Sequence, residues 1–241
     1  MKIDYSIIIP AYNEESYLPK TIEYLKIAMD AVSLNGEIIV ADNNSSDMTA
    51  EVAEKLGARV VFEPLNQISR ARNAGAAQAR GRYLIFVDAD TLVEPLLLQQ
   101  ALDNLESGQC IGGGATVGSE DKVPLVVKAV LGYWNFLSRT LRLAAGCFVY
   151  ARRDAFEEVG GFSESVYATE EIWLSIALKR KGRKSKRRFC IVSSSKALTS
   201  GRKLEWFSYS YQSLLLLLIF FFPFMTRFKW MCSYWYKRPE K

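Results

Sequence analysis

Apolar residues in the first ninety positions alternate between two spacings. Apolar runs at Tyr5–Pro10 and Glu37–Ala41 predict buried strands, and Arg59–Phe62 and Tyr83–Val87 a third and a fourth strand. The stretches between them repeat at helical spacing. Leu18–Val32 carries Leu18, Ile22, Leu25, Ile27, Met29 and Val32 at helical spacing and is followed by an Asn35-Gly36 turn. Met48–Leu56 follows Asp47, an N-cap residue, and stops at Gly57. A third helix runs from a cap at Ser69 to about Ala79, before Gly81. Strand and helix thus alternate four times, which predicts βαβ units and a mostly parallel sheet with helices on both faces. Ligands bind such sheets beyond the carboxyl ends of the strands. Here those ends are Pro10–Glu14, Asp42–Asp47, Glu63–Gln67 and Asp88–Asp90.

The middle of the chain is less regular. Pro95–Glu106 and Val123–Leu143 read as helices, Cys147–Tyr150 as a short strand, and Arg153–Val159 as a short helix closed by Gly160-Gly161. Gln109–Val117 holds Gly112-Gly113-Gly114, which suits a loop or a bent strand. It lacks the Lys-Ser/Thr ending of a P-loop, and no GxGxxG follows the first strand. Glu170–Lys181 reads as a helix with Ile172, Trp173, Ile176 and Ala177 turned inward.

The last section changes character. Trp206–Thr226 is 21 residues without a charge. As a helix it would be about 31 Å long, enough to cross a bilayer. Its solidly apolar part is only Leu214–Met225 and contains Pro223, and basic residues flank both ends, Arg202 and Lys203 before, Arg227 and Lys229 after. Three readings stay open: an in-plane or re-entrant membrane element, a spanning helix, and a soluble core or dimer helix. Trp206, Trp230, Tyr234, Trp235 and Tyr236 suit the headgroup level of a membrane.

Composition narrows the chemistry. The chain has 241 residues and no histidine. Ser-His-Asp and Cys-His sites and imidazole-bound metals are therefore excluded, and a metal here would take oxygen ligands, which favours Mg2+ or Mn2+ over Zn2+. Four dispersed cysteines without a CxxC pair read as reduced packing residues. The apolar run in Met1–Pro10 is too short for a signal peptide, so the expected location is the cytoplasmic side. Of 31 basic and 26 acidic residues, 16 basic and 2 acidic fall in 179–241, giving that part +14 and the first 178 residues −9. Eight of the ten residues Lys179–Arg188 are basic. That block is either a solvated face or an attraction to anionic lipid or a phosphorylated ligand. Nucleic acid is not an expected partner, because the rest of the chain is acidic.

Asp88-Ala89-Asp90 follows a buried strand. Two carboxylates on one short loop can hold a divalent ion whose remaining positions go to water and substrate phosphates. Around this pair the chain resembles family-2 GT-A glycosyltransferases. The resemblance is carried by Ser6–Glu14 (SIIIPAYNE), Asp42–Thr49 (DNNSSDMT), Ser69–Gly75 (SRARNAG) and Gly81–Asp90 (GRYLIFVDAD). A second patch covers Ala144-Ala145-Gly146, Phe156–Phe162, Glu170-Glu171 and Thr199–Arg202. The resemblance implies a GT-A, Rossmann-like α/β fold. It also implies transfer of a sugar from a nucleotide diphosphate, often UDP, with inversion at the anomeric carbon. Pro10, Ala11, Tyr12 and Glu14 would lie along the nucleoside, and Asp42 would bind the base or ribose. Arg72 would stand near the nucleotide or else pair with a surface carboxylate. Asp88, with Ala89, would face the ribose or the metal, and Asp90 would bind the metal.

Inversion by single displacement needs a base to take the acceptor's hydroxyl proton. The family usually places an aspartate there, second in a Glu-Asp pair; the matching pair here is Glu170-Glu171. Glu171 is the expected base and Glu170 the lesser candidate. The alternative for both is simply that acidic residues favour the first turn of a helix. Many GT-A enzymes also add a late histidine ligand, which this chain lacks; Arg202 is expected to neutralise the diphosphate instead. The expected organisation is a GT-A domain over residues 1–203, with 1–90 as its nucleotide half and 91–203 as its acceptor half. An apolar helical tail over 204–241 would associate with the cytoplasmic face of a membrane. The expected partners are a nucleotide-sugar donor, a sugar or lipid-linked acceptor and an anionic membrane surface. Alternatives are transfer to a polyprenyl phosphate and a non-catalytic nucleotide-sugar-binding membrane protein.

Overall fold

A computed structural model describes residues 2–202, 218 and 222–236. One eight-stranded sheet runs through it in the order β3-β2-β1-β4-β7-β6-β8-β5. Its first part is the predicted alternation: β1 (Tyr5–Ala11), α1 (Leu18–Asp30), β2 (Gly36–Asp42), α2 (Thr49–Lys55), β3 (Arg59–Phe62), α3 (Ile68–Gln78) and β4 (Tyr83–Val87). Then follow β5 (Thr91–Leu92), α4 (Pro95–Glu106), β6 (Cys110–Ser119), α5 (Leu125–Leu141), β7 (Phe148–Arg152), α6 (Arg153–Glu158), α7 (Glu170–Lys184) and β8 (Arg188–Thr199). Two 3-10 turns, Pro223–Arg227 and Lys229–Cys232, and the single turn α8 (Ser233–Tyr236) complete the described chain.

β1, β2, β3 and β4 pair in parallel, as expected of crossover units. The second half departs from that expectation. β7 runs antiparallel to both β4 and β6, and β5 antiparallel to β8, so the sheet is mixed rather than mostly parallel. Strands β5 and β8 were not legible in the sequence. β8 is half exposed along its length and carries serines and a lysine where a buried strand would show an apolar run.

The alternation of side chains along the strands divides the core in two. Ile7, Ile9, Ile85 and Val87 pack against Leu18, Ile22 and Leu25 of α1 and Leu98 and Leu102 of α4. Ile8, Ile39, Leu84 and Phe86 face the other way, onto Phe156, Phe162, Leu174 and Leu178. Phe86 meets Phe162 edge-on at 4.8 Å.

Four further local expectations shift. Ser69 does not cap α3; it lies buried within the first turn, and the helix begins at Ile68 after an extended Gln67. Asp47 sits one residue outside the cap position of α2, yet its Oδ1 accepts the Thr49 N–H at 3.0 Å. The inward side of α7 is Glu170, Leu174, Ser175, Leu178 and Gly182, whereas Trp173 is exposed. The buried Glu170 carboxylate anchors the helix start, and the i+4 row from it is the row that turns inward. Cys110 and Cys190, read as reduced thiols, are joined in a disulfide between β6 and β8; Cys147 and Cys232 are buried free thiols.

The Gly112-Gly113-Gly114 run of β6 has a packing role. A Cβ on Gly113 would stand 1.9 Å from the Cys190 carbonyl and 2.4 Å from the Tyr150 ring, so only glycine lets β7, β6 and β8 lie this close. The apolar helix expected within 204–241 falls mostly outside the described residues. Among the described residues no helix is long and apolar enough to cross a membrane.

Candidate functional site

Parallel strands β1, β2 and β4 bring their carboxyl ends to one edge of the sheet, and the loops there are locked to one another. The Glu14 N–H donates to Thr49 Oγ1 at 2.8 Å and the Glu15 N–H to Asp47 Oδ2 at 3.2 Å. Asn13 takes the left-handed conformation (φ 51°) and its Oδ1 accepts the Ser46 N–H at 2.8 Å. The segment Asp42–Thr49 therefore works largely as a clamp on the loop after β1. Asn43 extends the clamp: its Nδ2 donates to the carbonyls of Glu63 and Leu65, and its Oδ1 accepts the Gln67 N–H at 2.9 Å.

These loops surround a cavity of about 230 Å³. Pro10, Ala11, Tyr12 and Glu14 form one side, and Asp88, Ala89, Asp90 and Arg202 another, as their motifs suggested. Asn43 and Asn66, from the strand-end loops after β2 and β3, and Ile68 also line it; a wall from the C-terminal section, Lys229 and Tyr236, was not foreseen. The Ile68 N–H donates to the Tyr236 hydroxyl at 3.3 Å, the Tyr236 ring meets Tyr167 edge-on at 5.9 Å, and the Tyr167 N–H donates to the Thr226 carbonyl at 2.6 Å. Burial and then the Glu170 charge raise the Tyr236 hydroxyl above its ordinary range, so it stays protonated. Sequence reading had given Lys229 and Tyr236 to the membrane-associating tail. The signal for them was the return of charge and aromatic residues after the apolar run, and it carried no address.

Two arginines organise the acidic floor. Arg202 donates from Nη1 and Nη2 to the two Glu14 oxygens, each at 2.6 Å, and its Nη2 is 2.9 Å from Asp90 Oδ2. Its guanidinium also lies over the Tyr17 ring at 4.4 Å. Arg72 is buried; it donates to Glu170 at 2.6 Å, to Asp88 at 2.8 Å and to the Gly146 carbonyl at 2.9 Å. Burial opposes charge on Arg72, but Asp88, Glu170 and Glu171 outweigh it and hold the guanidinium protonated. Arg72 thus pairs with two carboxylates, the buried Glu170 and the half-buried Asp88 of the cavity lining.

Asp42, buried at the end of β2, does not line the cavity; its Oδ1 accepts the Ser45 N–H at 3.1 Å. Glu170 and Glu171 lie behind Arg72, at the start of α7. Glu170 is buried in its bond to Arg72. Glu171 lies beside Gly146, where an added Cβ would come within 3.8 Å of its Oε2. Burial, and next the Glu170 charge, push the Glu171 carboxyl up to about 8. A group poised there is suited to taking a proton near neutral pH.

Among the described residues no three Asp, Glu or Cys side chains converge as a ready-made metal cage. The donor set nonetheless suits a hard divalent ion that keeps open positions. Asp88 and Asp90 both face the cavity, and Asp90 receives Arg202 and Ser200 on Oδ2, leaving Oδ1 as its remaining acceptor.

Comparison with known proteins gives the family and the fold. The sequence pattern of Glycosyl transferase family 2 matches residues 6–160. The uncharacterized glycosyltransferase EpsJ of Bacillus subtilis (strain 168) is 32% identical over 124 residues, which are 48% of this chain and 35% of that protein. The succinoglycan biosynthesis protein ExoA of Rhizobium meliloti (strain 1021) is 29% identical over 196 residues, 73% of this chain and 58% of that protein. The matched part thus spans between about a third and three-fifths of these relatives. Among solved structures, S. aureus TarS 1-349 in complex with UDP superposes with a TM-score of 0.64 at 20% identity, covering 82% of this chain and 60% of that one. Glucosyl-3-phosphoglycerate synthase from Mycobacterium tuberculosis, in complex with Mn2+, UDP and glucosyl-3-phosphoglycerate, also gives 0.64, at 22% identity, covering 90% and 79%. At these identities the likeness is one of fold.

Proposed function

The chain belongs to glycosyl transferase family 2, and from that membership we propose that it moves a sugar, with inversion, from a nucleotide-diphosphate donor, UDP-linked by preference, to an acceptor hydroxyl. One observation carries the reading: Asp88 and Asp90 border a cavity lined by the end of β1, and Arg72 joins Asp88 to Gly146, beside which Glu171 lies. In this reading Pro10, Ala11, Tyr12 and Glu14 hold the nucleoside, with Asp42 supporting the base side from beneath. Asp88 and Asp90 would hold Mg2+ or Mn2+, which when bound neutralises charge on the departing diphosphate. Arg202 keeps Asp90 and Glu14 in place and adds positive charge beside the diphosphate; Lys229 adds more from the opposite wall. Arg72 fixes Asp88 and Glu170, and Glu171 removes the proton of the incoming hydroxyl. The Mn2+ and UDP in the related complexes support the donor class and the ion.

A sugar or lipid-linked acceptor on the cytoplasmic face of a membrane completes the proposal, with residues 1–203 as the catalytic domain and 204–241 as a membrane-associating tail. Transfer to a polyprenyl phosphate is the second reading; such an acceptor needs no strong base and would not depend on Glu171. The test is a screen of nucleotide sugars for metal-dependent donor hydrolysis and for protection against thermal unfolding. One nucleotide sugar giving both supports the proposal, and protection without any turnover in the presence of Mg2+ or Mn2+ overturns it in favour of a binding protein.

A further inference from the structure

α5 is amphipathic in an unusual sense, since both of its faces are apolar. Its inner side is fixed to the body of the protein. Val127 and Ser138 are buried, Leu131 and Trp134 pack on the core, and the Asn135 side chain bonds both the N–H and the carbonyl of Val117 at 2.8 Å. That double bond sets the rotation of the helix and leaves a second apolar stripe outside. Leu125 is 82% exposed, Val126 68%, Tyr133 65%, and Val130, Phe136 and Leu141 each more than half. At 100° per residue these six occupy one arc of about 160°. A contiguous apolar stripe of this kind on a helix marks an interaction site rather than scattered surface residues.

The edge of the stripe is cationic. Lys128 and Arg139 flank it on α5, which contains no acidic residue. At its C-terminal end Arg142 caps the helix, and the Lys179 Nζ donates to the Leu141 carbonyl at 2.8 Å. Lys179 begins the basic end of α7, and its tendency to lose a proton comes first from burial and then from Arg183 and Arg142, so these cations are close neighbours. Apolar side chains centred on a helix face with basic residues at its border match the interface of an anionic bilayer.

We infer that the outward face of α5 lies in the headgroup–acyl boundary of an anionic membrane surface, with Arg139, Arg142, Lys179 and Arg183 on its lipid phosphates. This inference deepens the membrane-face reading above and rests on it. It adds to the tail a second docking element in the catalytic body, where it has a direct consequence for the site. Leu143 follows Arg142, the Ala144 N–H donates to Ser175 Oγ at 3.0 Å, and Gly146 touches Arg72 and Glu171. The end of the membrane-lying helix is thus four residues from the acceptor side, where the headgroup of a lipid-linked acceptor would arrive.

The experiment uses the full chain with Phe136→Cys carrying a nitrobenzoxadiazole probe, and Glu54→Cys on α2, at the opposite edge of the sheet, as reference. Vesicles are phosphatidylcholine with or without about one-third phosphatidylglycerol. The probe at position 136 is expected to shift to the blue with a several-fold rise in emission on anionic vesicles. Shallow acyl-chain spin labels should quench it, and adding Val130→Asp and Tyr133→Asp should abolish the response. The position-54 probe should stay unchanged. No response at position 136 overturns the inference whatever the tail does. So does an equal response on neutral vesicles. A blue-shifted probe already present without lipid also overturns it, because another copy or residues 203–221 would then cover the face. Donor hydrolysis by the same labelled protein is read in parallel; its loss with the lipid response intact would count against the transferase reading and not against the α5 surface.

Discussion

Arg202 and Glu14 are 188 positions apart, yet they pair through two bonds of 2.6 Å and are both buried. The last motif residue before the tail is thereby fastened to the end of the first strand, with Asp90 as a third member. Removing one partner of such a cluster leaves uncompensated buried charge. Arg202→Ala is expected to lower unfolding free energy by about 3–5 kcal/mol, read by urea denaturation, and to weaken UDP binding as Glu14 and Asp90 relax. Unchanged stability would show that solvent reaches these carboxylates.

Asp90→Ala should leave the fold intact by circular dichroism and reduce kcat at least about a hundredfold, the loss expected when diphosphate charge is no longer neutralised. Activity equal to wild type, or insensitive to excess chelator in the wild type, would remove the metal role.

Glu171 makes the pH dependence specific. The base must be ionised, so kcat/KM should rise with pH through about 8 and level above it. Its folded value lies above the ordinary 4.5, so between these two values the native state holds a proton that the unfolded chain has released. Stability should therefore fall as pH rises from 4.5 through about 8, and Glu171→Gln should flatten that fall. The same variant separates the acceptors. Loss of about 10²–10⁴ in rate supports a hydroxyl acceptor, and near-normal turnover a phosphate one.

Lys229→Ala probes the wall that sequence did not foresee. Lys229 is exposed, so its contribution to a diphosphate is screened; an increase in donor KM of about fivefold, with kcat little changed, is expected. Steady-state kinetics with donor varied would decide it, and an unchanged KM would place the C-terminal wall outside the donor's reach.

Gly113→Ala tests packing alone. Its new methyl would collide with a backbone carbonyl that pairing holds in place, so a loss of about 3 kcal/mol is expected by thermal unfolding. A smaller loss would mean that β8 can move away from β6.

The parallel first part of the sheet, residues 1–90, could be read from the chain alone. Strands β1, β2 and β4 announce themselves as apolar runs because both of their faces are largely buried, the partly exposed edge strand β3 shows a shorter run, and parallel crossovers place their ends together. Glu14, Asp88 and Asp90 were legible for the same reason, whereas Arg202 was named only through the family resemblance of Thr199–Arg202. Only the tertiary structure decided the rest. The half-exposed β8, the antiparallel β7, the Cys110–Cys190 link and the wall made by Lys229 and Tyr236 depend on contacts between distant segments that no local period encodes. The two arginines show the limit most clearly. Their identity was readable, but that Arg72 would join Asp88 to Glu170, and Arg202 would join Glu14 to Asp90, is set by which buried carboxylates the fold brings within bonding distance.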